Sequence, residues 1–365
     1  MRVLVLTPCI YDTAPGLRFR IEQWARYLEP HGYKFTFLPF EDRKLHDCLY
    51  RPGFFGRKTW LLAGAWLRRI ATSLRSSRYD VVFLHREASL IGPALVERLI
   101  ALRGVPLVYD FDDPIWMPYR SPVNHRFTAL KFPAKTAAIC KLSNHVIVGN
   151  RFLAQYATRY STAVSVVPST IDLRQYATRR RKRDSNVVTL GWTGSHSTLP
   201  FLEELAHVLR RLATERAFRL VVISHTDSYR IPDLGAPLVA RRWNAATEAE
   251  DLADIDIGLA PFPNRGWTPW RCHGKVLQYM AAAIPTVASP IGIIPEYIHD
   301  GITGCLAGDE EEWLQKLVRL IDDAELRDHI GAEGRNVVQT RYSAEMWAPH
   351  VGRILGAAGR CTAHS

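Results

Sequence analysis

Short runs of aliphatic residues recur along this chain, and segments with apolar residues every three to four positions separate them. Val3-Leu4-Val5-Leu6 is the first run. After a loop to Gly16, Ile21, Trp24, Ala25 and Leu28 mark one face of a helix over about 18–29, which Gly32 stops. The run 33–38 reads as the next strand. Strand, helix and strand in this order make a βαβ unit. Aliphatic runs unbroken by polar residues are what a parallel sheet requires, because helices bury both of its faces.

The same alternation predicts strands at 80–84, 106–109, 144–148 and 164–168, with a helix over 90–102. A second series predicts strands at 187–192, 219–223, 255–260 and 286–288, with helices near 199–213, 310–322, 324–332 and 344–356. Between the series lies 173–186, with six basic side chains and one acidic. Like charges repel and do not pack, so this segment reads as a solvated linker. The expected fold class is α/β: two doubly wound Rossmann-like domains facing across a cleft. The expected bounds are 1–172 and 173–345, with a C-terminal helix of about 346–365 packing back on the first domain. Ligands of such sheets bind outside the carboxyl ends of the strands.

Composition narrows the class. Hydrophobic residues make up 47% and charged residues 23% of the 365, as in a globular enzyme. The net charge of +11 and pI of about 9.5 favour anionic partners, which include phosphorylated ligands and acidic membranes. Six cysteines with no C-x-x-C pair and no zinc spacing predict reduced thiols and no metal site. MRVLVLTPCIYD has no small-residue cleavage site, and no apolar run is long enough to span a bilayer. A cytoplasmic protein with at most peripheral membrane contact is expected.

Two loops carry the features of a phosphate site. Leu190-Gly191-Trp192-Thr193-Gly194-Ser195 runs from a strand into a loop, with Ser197 or Thr198 placed to cap the next helix. A plain βα turn accounts equally well for that spacing. Segment 261–292 passes from a strand end through an irregular loop to a helix at about 274–282. Lys275 falls at the helix start, where the helix dipole opposes a cation unless an anion sits between them. Lys275 is therefore read as a phosphate ligand and Gln278, one turn on, as a partner for hydroxyls. Arg241-Arg242-Trp243-Asn244, with Glu248 and Glu250, precede the strand at 255 and are read as the border of a nucleotide base pocket.

Segment 278–289 (QYMAAAIPTVAS), followed by Gly292, Glu296, Asp300-Gly301-Ile302-Thr303-Gly304 and Glu312-Trp313, resembles the retaining family 4 glycosyltransferases. Looser similarity reaches Ala14-Pro15-Gly16-Leu17-Arg18-Phe19-Arg20-Ile21, Val166-Val167-Pro168 and Gly191–Ser195. The resemblance implies a GT-B fold and a UDP- or GDP-linked sugar as donor. It also implies retention, no metal or other cofactor, and a glycan, lipid-linked or small-molecule acceptor. Trp270 and Gln278 stand where the family carries its two glutamates, and Ser195 stands about where it carries an arginine. A subgroup with a basic residue, Cys and Lys before a Gln-Tyr-Met-Ala helix fits Arg271, Cys272 and Lys275 better. The implied donor-binding set is Gly16, Gly194, Ser195, Trp243, Arg271, Cys272, His273, Gly274, Lys275 and Gln278. Arg271 and Lys275 then replace the charge missing from the first loop.

Tyr109-Asp110-Phe111-Asp112-Asp113-Pro114 ends a strand of the first domain. Asp110, Asp112 and Asp113 are the candidate catalytic carboxylates, able to orient hydroxyls or accept a proton. Carboxylates this close are expected to raise one pKa. Capping a turn is the simpler reading. D-x-D also marks metal sites in the other large glycosyltransferase fold, which lacks the two-domain pattern. It marks aspartyl-phosphate enzymes too, whose sites continue Gly-Thr rather than Asp113-Pro114. Arg18, Arg20 and Arg86 follow first-domain strands and suit an anionic acceptor or the diphosphate, or ordinary surface pairing, and Glu87 beside Arg86 is a further acceptor-site candidate. Segment 51–78 mixes Phe54, Phe55, Trp60 and Trp66 with Arg and Lys at helical spacing. It suits either an anionic membrane surface or a core helix with a basic outer face. The reading reached is a nucleotide-sugar glycosyltransferase that binds no nucleic acid and acts in the cytoplasm, peripheral on the inner membrane face. Its alternatives are a non-catalytic binder of the same fold and a D-x-D phosphatase.

Overall fold

A computed structural model describes residues 1–49, 51–118, 130–176, 187–195, 198–224 and 234–360. The chain forms two compact units. Unit 1 comprises Met1–Ser169, Trp270–Cys272 and the described part of Ala344–Ser365; unit 2 comprises Thr170–Pro269 and His273–Ser343. Most of the basic linker, 177–186, lies outside the described residues, as do Ser197 and the last five positions of the expected C-terminal helix.

The sheet of unit 1 contains β1 (Arg2–Thr7), β2 (Lys34–Pro39), β3 (Val81–His85), β4 (Leu107–Phe111), β5 (His145–Val148) and β6 (Val164–Val166). All pairs are parallel and the order is β2-β1-β3-β4-β5-β6. Side chains alternate along each strand, so the aliphatic runs fill both faces. Val3, Val5, Phe83, Val108 and Ile147 pack with Trp24 and Leu28 of helix Ile21–Leu28 and with Val351 and Leu355 of helix Ala344–Arg360. Leu4, Leu6, Val82, Leu84, Tyr109 and Val146 pack against residues of helices Leu95–Leu102, Lys135–Leu142 and Arg151–Ala157. The Ala344–Arg360 helix comes close enough that a Cβ on Gly352 would meet Leu28, and Tyr33 Oη donates to the Gly352 carbonyl (2.7 Å).

The sheet of unit 2 contains β7 (Val188–Gly194), β8 (Phe218–Ser224), β9 (Leu238–Arg242), β10 (Ile257–Ala260), β11 (Thr286–Ala288) and β12 (Cys305–Leu306). It too is parallel, in the order β12-β11-β10-β7-β8-β9. One face is filled by Leu190, Trp192, Leu220, Val222 and Leu259 against Leu209, Leu212, Trp313 and Leu317. β9 escapes the sequence reading because Leu238-Val239-Ala240-Arg241-Arg242 has no buried aliphatic run; it is the sheet's edge and largely exposed. Of the two sequence candidates, Ser197 lies outside the described residues and Thr198 does not cap the helix after β7. Thr198 Oγ1 donates back to the Ser195 carbonyl, and the helix Pro200–Glu203 starts at Leu199.

Strand order fixes where each unit binds. In unit 1 the chain winds outward in both directions from the gap between β1 and β3, and in unit 2 from the gap between β7 and β10. A doubly wound sheet opens its ligand crevice at the carboxyl ends of such strand pairs.

Candidate functional site

At the β7/β10 switch point of unit 2, helix Gly274–Ala281 begins on His273, whose backbone is left-handed (φ 47°). Tyr279 fastens this helix to β7: its buried hydroxyl accepts from Thr193 N–H (2.8 Å) and lies 3.3 Å from the Gly191 carbonyl. Burial pushes the Tyr279 phenol well above its usual range, so it stays neutral and keeps its proton to donate. Lys275, in the first turn, carries its ammonium 4.1 Å from the centroid of Trp192 and 5.1 Å from that of Phe262. Trp192 lies on β7 and Phe262 just after β10, so the cation sits at the switch point itself. The ring of His273 meets Phe262 edge-on at 4.4 Å. Gln278 is buried and donates to Tyr176 Oη (3.4 Å). Trp243 Nε1 donates to Glu248 Oε1 (2.7 Å) beyond the end of β9, and Arg241 pairs with Asp254 (2.7 Å). Gly194 ends β7 and Ser195 follows it, and a Cβ on Gly194 would meet the Trp192 ring.

In unit 1 the β1/β3 switch point holds a chain of alternating charges. Arg20 is fully buried; its Nε donates to Asp110 Oδ2 (2.9 Å) and its Nη1 to the Val167 carbonyl (2.8 Å). His85 Nδ1 lies 2.6 Å from Asp110 Oδ2, and since a carboxylate only accepts, the imidazole donates. His85 Nε2 is 3.7 Å from Asp112 Oδ1, within ion-pair range. Arg86 Nε donates to Asp112 Oδ1 (2.9 Å) and its Nη2 to Asp113 Oδ2 (2.6 Å). Arg271 Nε donates to the other oxygen of Asp113 (2.8 Å). Gly16 presses its backbone into this cluster, since a Cβ there would lie 2.7 Å from Asp112 Oδ2 and 2.8 Å from Arg86 Nη2. Arg18 donates to Asp12 Oδ1 (2.8 Å), and Glu87 pairs with Lys135 (2.6 Å).

The expected rise of one aspartate pKa does not occur. Burial would raise Asp110, but the Arg20 guanidinium and the His85 hydrogen bond hold its carboxyl below the ordinary range. Burial would raise Asp112 as well, and Arg86, then His85 and Arg20, hold it down. The Arg20 and Arg86 guanidiniums, with the His85 hydrogen bond, outweigh the mutual repulsion of the two carboxylates. Side-chain exposure then separates the three candidates: 0% for Asp110, 10% for Asp112 and 19% for Asp113. Asp110 anchors the cluster from inside, and Asp113 is its most open carboxylate.

Segment 270–272 belongs to this cluster. Asn150, buried and capping helix Arg151–Ala157, donates to the Trp270 carbonyl (2.9 Å). Cys272 lies so close to Gly149 that any Cβ there would collide with its sulfur. Burial, with Asp112 second, pushes the Cys272 thiol up to about 12, so it is not a nucleophile. The structure therefore groups Arg271 and Cys272 with Asp113, and His273, Gly274 and Lys275 with Trp192. His85, Asn150 and Tyr279 are polar members that were not among the sequence candidates. His85 had one signal: it ends the strand preceding Arg86. Asp12 (φ 62°), Arg86 (φ 58°) and His273 (φ 47°) are three of the five described non-glycine residues with left-handed backbone. Such geometry costs roughly 1–2 kcal/mol per residue and collects at functional sites.

The family model for glycosyl transferases group 1 matches residues 187–323, and that for glycosyltransferase family 4 matches residues 16–175. No curated protein sequence matches the chain significantly. Among solved structures, sucrose-phosphate synthase from Thermosynechococcus elongatus superposes with a TM-score of 0.68 at 14% identity, covering 100% of both chains. A glycosyltransferase from Rickettsia africae gives 0.65 at 14% identity over 98% of each chain. Anabaena HepE in complex with UDP and glucose gives 0.63 at 15% identity, over 98% of this chain and 100% of that one. At these identities the likeness establishes the fold, a two-domain Rossmann-like GT-B architecture. With the two family models spanning most of its length on that fold, the chain belongs to the family 4, group 1 glycosyltransferases and is a nucleotide-sugar-dependent enzyme.

Proposed function

We propose that the donor is a UDP- or GDP-linked hexose whose diphosphate is held in unit 2 by Lys275. Transfer proceeds with retention and without a resident metal or other cofactor. The observation that carries this reading is the Lys275 ammonium at the β7/β10 switch point, in the first turn of a helix and against two aromatic rings. The N–H groups of the helix start and the ammonium attract the same anion. Aromatic walls keep water out, and charge attraction strengthens as the local dielectric falls. Preorganised positive charge of this kind stabilises a leaving diphosphate as its negative charge develops. HepE has been solved with UDP-glucose, which supports a uridine donor in this fold family. Gly194, Ser195, Trp243, His273, Gly274 and Gln278 complete the donor set in the same unit.

The acceptor is a glycan, a lipid-linked sugar or a small molecule. Its hydroxyl is oriented by Asp113 with Arg86, because Asp110 is enclosed by Arg20 and His85. That enclosure also disfavours the phosphatase reading, whose aspartate must be free to attack phosphorus. The enzyme works in the cytoplasm, peripheral on the inner face of the cell membrane. No described helix is long and apolar enough to cross a bilayer.

Isothermal titration of UDP and GDP into the wild type and Lys275→Ala tests the donor assignment. Loss of one charge-assisted phosphate contact weakens nucleotide binding about 10- to 100-fold. Equal affinities for the two proteins would remove Lys275 from the site.

A further inference from the structure

Helix Phe55–Leu74 packs one face into unit 1 with Leu61, Leu62, Ala65 and Arg69, yet its opposite face is apolar too. Trp60, Leu67 and Leu74 are 76%, 68% and 50% exposed. At about 100° per residue these three, seven apart, fall within about 40° of one another. Gly56 before them and Ala63 and Ala71 between them lie on the same face and carry no polar group. A helix that only needs solubility places polar residues on that face.

Arginines run beside this row. Arg57, Arg68 and Arg75 are exposed and lie about 60–80° around the helix from Trp60. Arg68 pairs with Asp42 (3.0 Å), and no acidic residue occurs from Arg51 to Arg78. Helix Leu95–Leu102 extends the surface with exposed Leu95, Arg98 and Leu102, and Arg103 just beyond it reaches Ser77 (3.4 Å). Exposed Leu130 and Phe132 adjoin through Gly92, whose N–H donates to the Leu130 carbonyl and where any Cβ would meet the Trp66 ring. Of the fifteen exposed large hydrophobic side chains among the described residues, eight lie between Phe54 and Phe132. This is a concentrated patch rather than the usual scatter.

We propose that this face lies in the interface of an anionic lipid bilayer. Trp60, Leu67 and Leu74 enter the acyl boundary, and Arg57 and Arg75 rest on headgroup phosphates. A row of apolar side chains flanked by cations complements an apolar layer beneath a plane of negative charge. Three separate segments contribute apolar side chains, more than one docked peptide helix covers. The inference rests on the peripheral-membrane reading and assigns it a surface; it is independent of the donor chemistry.

Flotation of the full-length protein tests it, using equimolar phosphatidylcholine–phosphatidylglycerol vesicles and pure phosphatidylcholine vesicles. The wild type binds the anionic vesicles and not the neutral ones. Trp60→Ser/Leu67→Ser and Arg57→Glu/Arg75→Glu each bind about tenfold more weakly. Circular dichroism and nucleotide release from donor stay as in the wild type, because all four residues are exposed. A wild type that fails to bind anionic vesicles overturns both the membrane reading and this face. Undiminished binding by the Trp60/Leu67 variant overturns the face alone. So does loss of self-association in that variant with vesicle binding intact, which makes the face an interface between copies.

Discussion

At the scale of single residues, burial and charge pairing decide which groups are available for chemistry. Three adjacent carboxylates invite a reading as acid and base, but Asp110 and Asp112 are held ionised by Arg20, His85 and Arg86. Glu22 goes the other way. It is almost fully buried, accepts from the Asp12 N–H (3.0 Å) in the loop after β1, and burial raises its carboxyl to about 7. Its folded pKa exceeds its unfolded one, so between pH 4.5 and 7 the folded state binds the extra proton. The stability this group contributes is fully present below its unfolded pKa and is lost as pH rises through about 7. The loss totals at most about 3 kcal/mol. Urea midpoints measured from pH 5 to 8 fall with pH in the wild type, and Glu22→Gln flattens that slope. An unchanged slope in the variant assigns the pH dependence to other groups. None of these pairings was legible in the sequence, because Arg20 and Asp110 are ninety positions apart and only the fold brings them together.

At the scale of elements, the sequence was most legible where one local pattern decides the structure. The aliphatic runs of β1, β3, β4, β5, β7 and β10 are buried on both faces, and their positions follow from composition alone. β9 was not legible, because an exposed edge strand need not be aliphatic. The 55–74 segment was legible as a basic amphipathic helix, but not the burial of its cations. Lys58 donates inward to the Arg51 carbonyl, and Arg69 reaches the carbonyls of Thr7 and Leu38 at the ends of β1 and β2. The start of helix Gly274–Ala281 was read correctly, but not its fastening by Tyr279. Tyr279→Phe leaves the buried Thr193 N–H without an acceptor, at a cost of about 1–3 kcal/mol. It also frees the helix start from β7. Chemical denaturation reads the first effect, and donor KM, rising with little change in kcat, reads the second. Wild-type stability and KM in the variant would deny Tyr279 this positioning role.

At the scale of the whole molecule, two units of the same architecture each open one switch point. Unit 2 carries the 3-2-1-4-5-6 strand arrangement of a dinucleotide-binding sheet and places Lys275 at its switch point. Unit 1 carries the 2-1-3-4-5 type of arrangement, with β6 added, and places Arg86, Asp112 and Asp113 at its own. The motif after residue 270 was read from the sequence as a nucleotide-sugar feature. Its division between the units, Arg271 and Cys272 on one side and His273 to Lys275 on the other, was not, because it depends on long-range packing. The measurement that tests the account most directly is proton NMR of the enzyme with a panel of UDP- and GDP-hexoses, run with and without EDTA. The account predicts nucleotide release from at least one donor, at a rate EDTA leaves unchanged. It also predicts a first-formed sugar product that keeps the donor's anomeric configuration. Inverted product, or release abolished by EDTA, would contradict it.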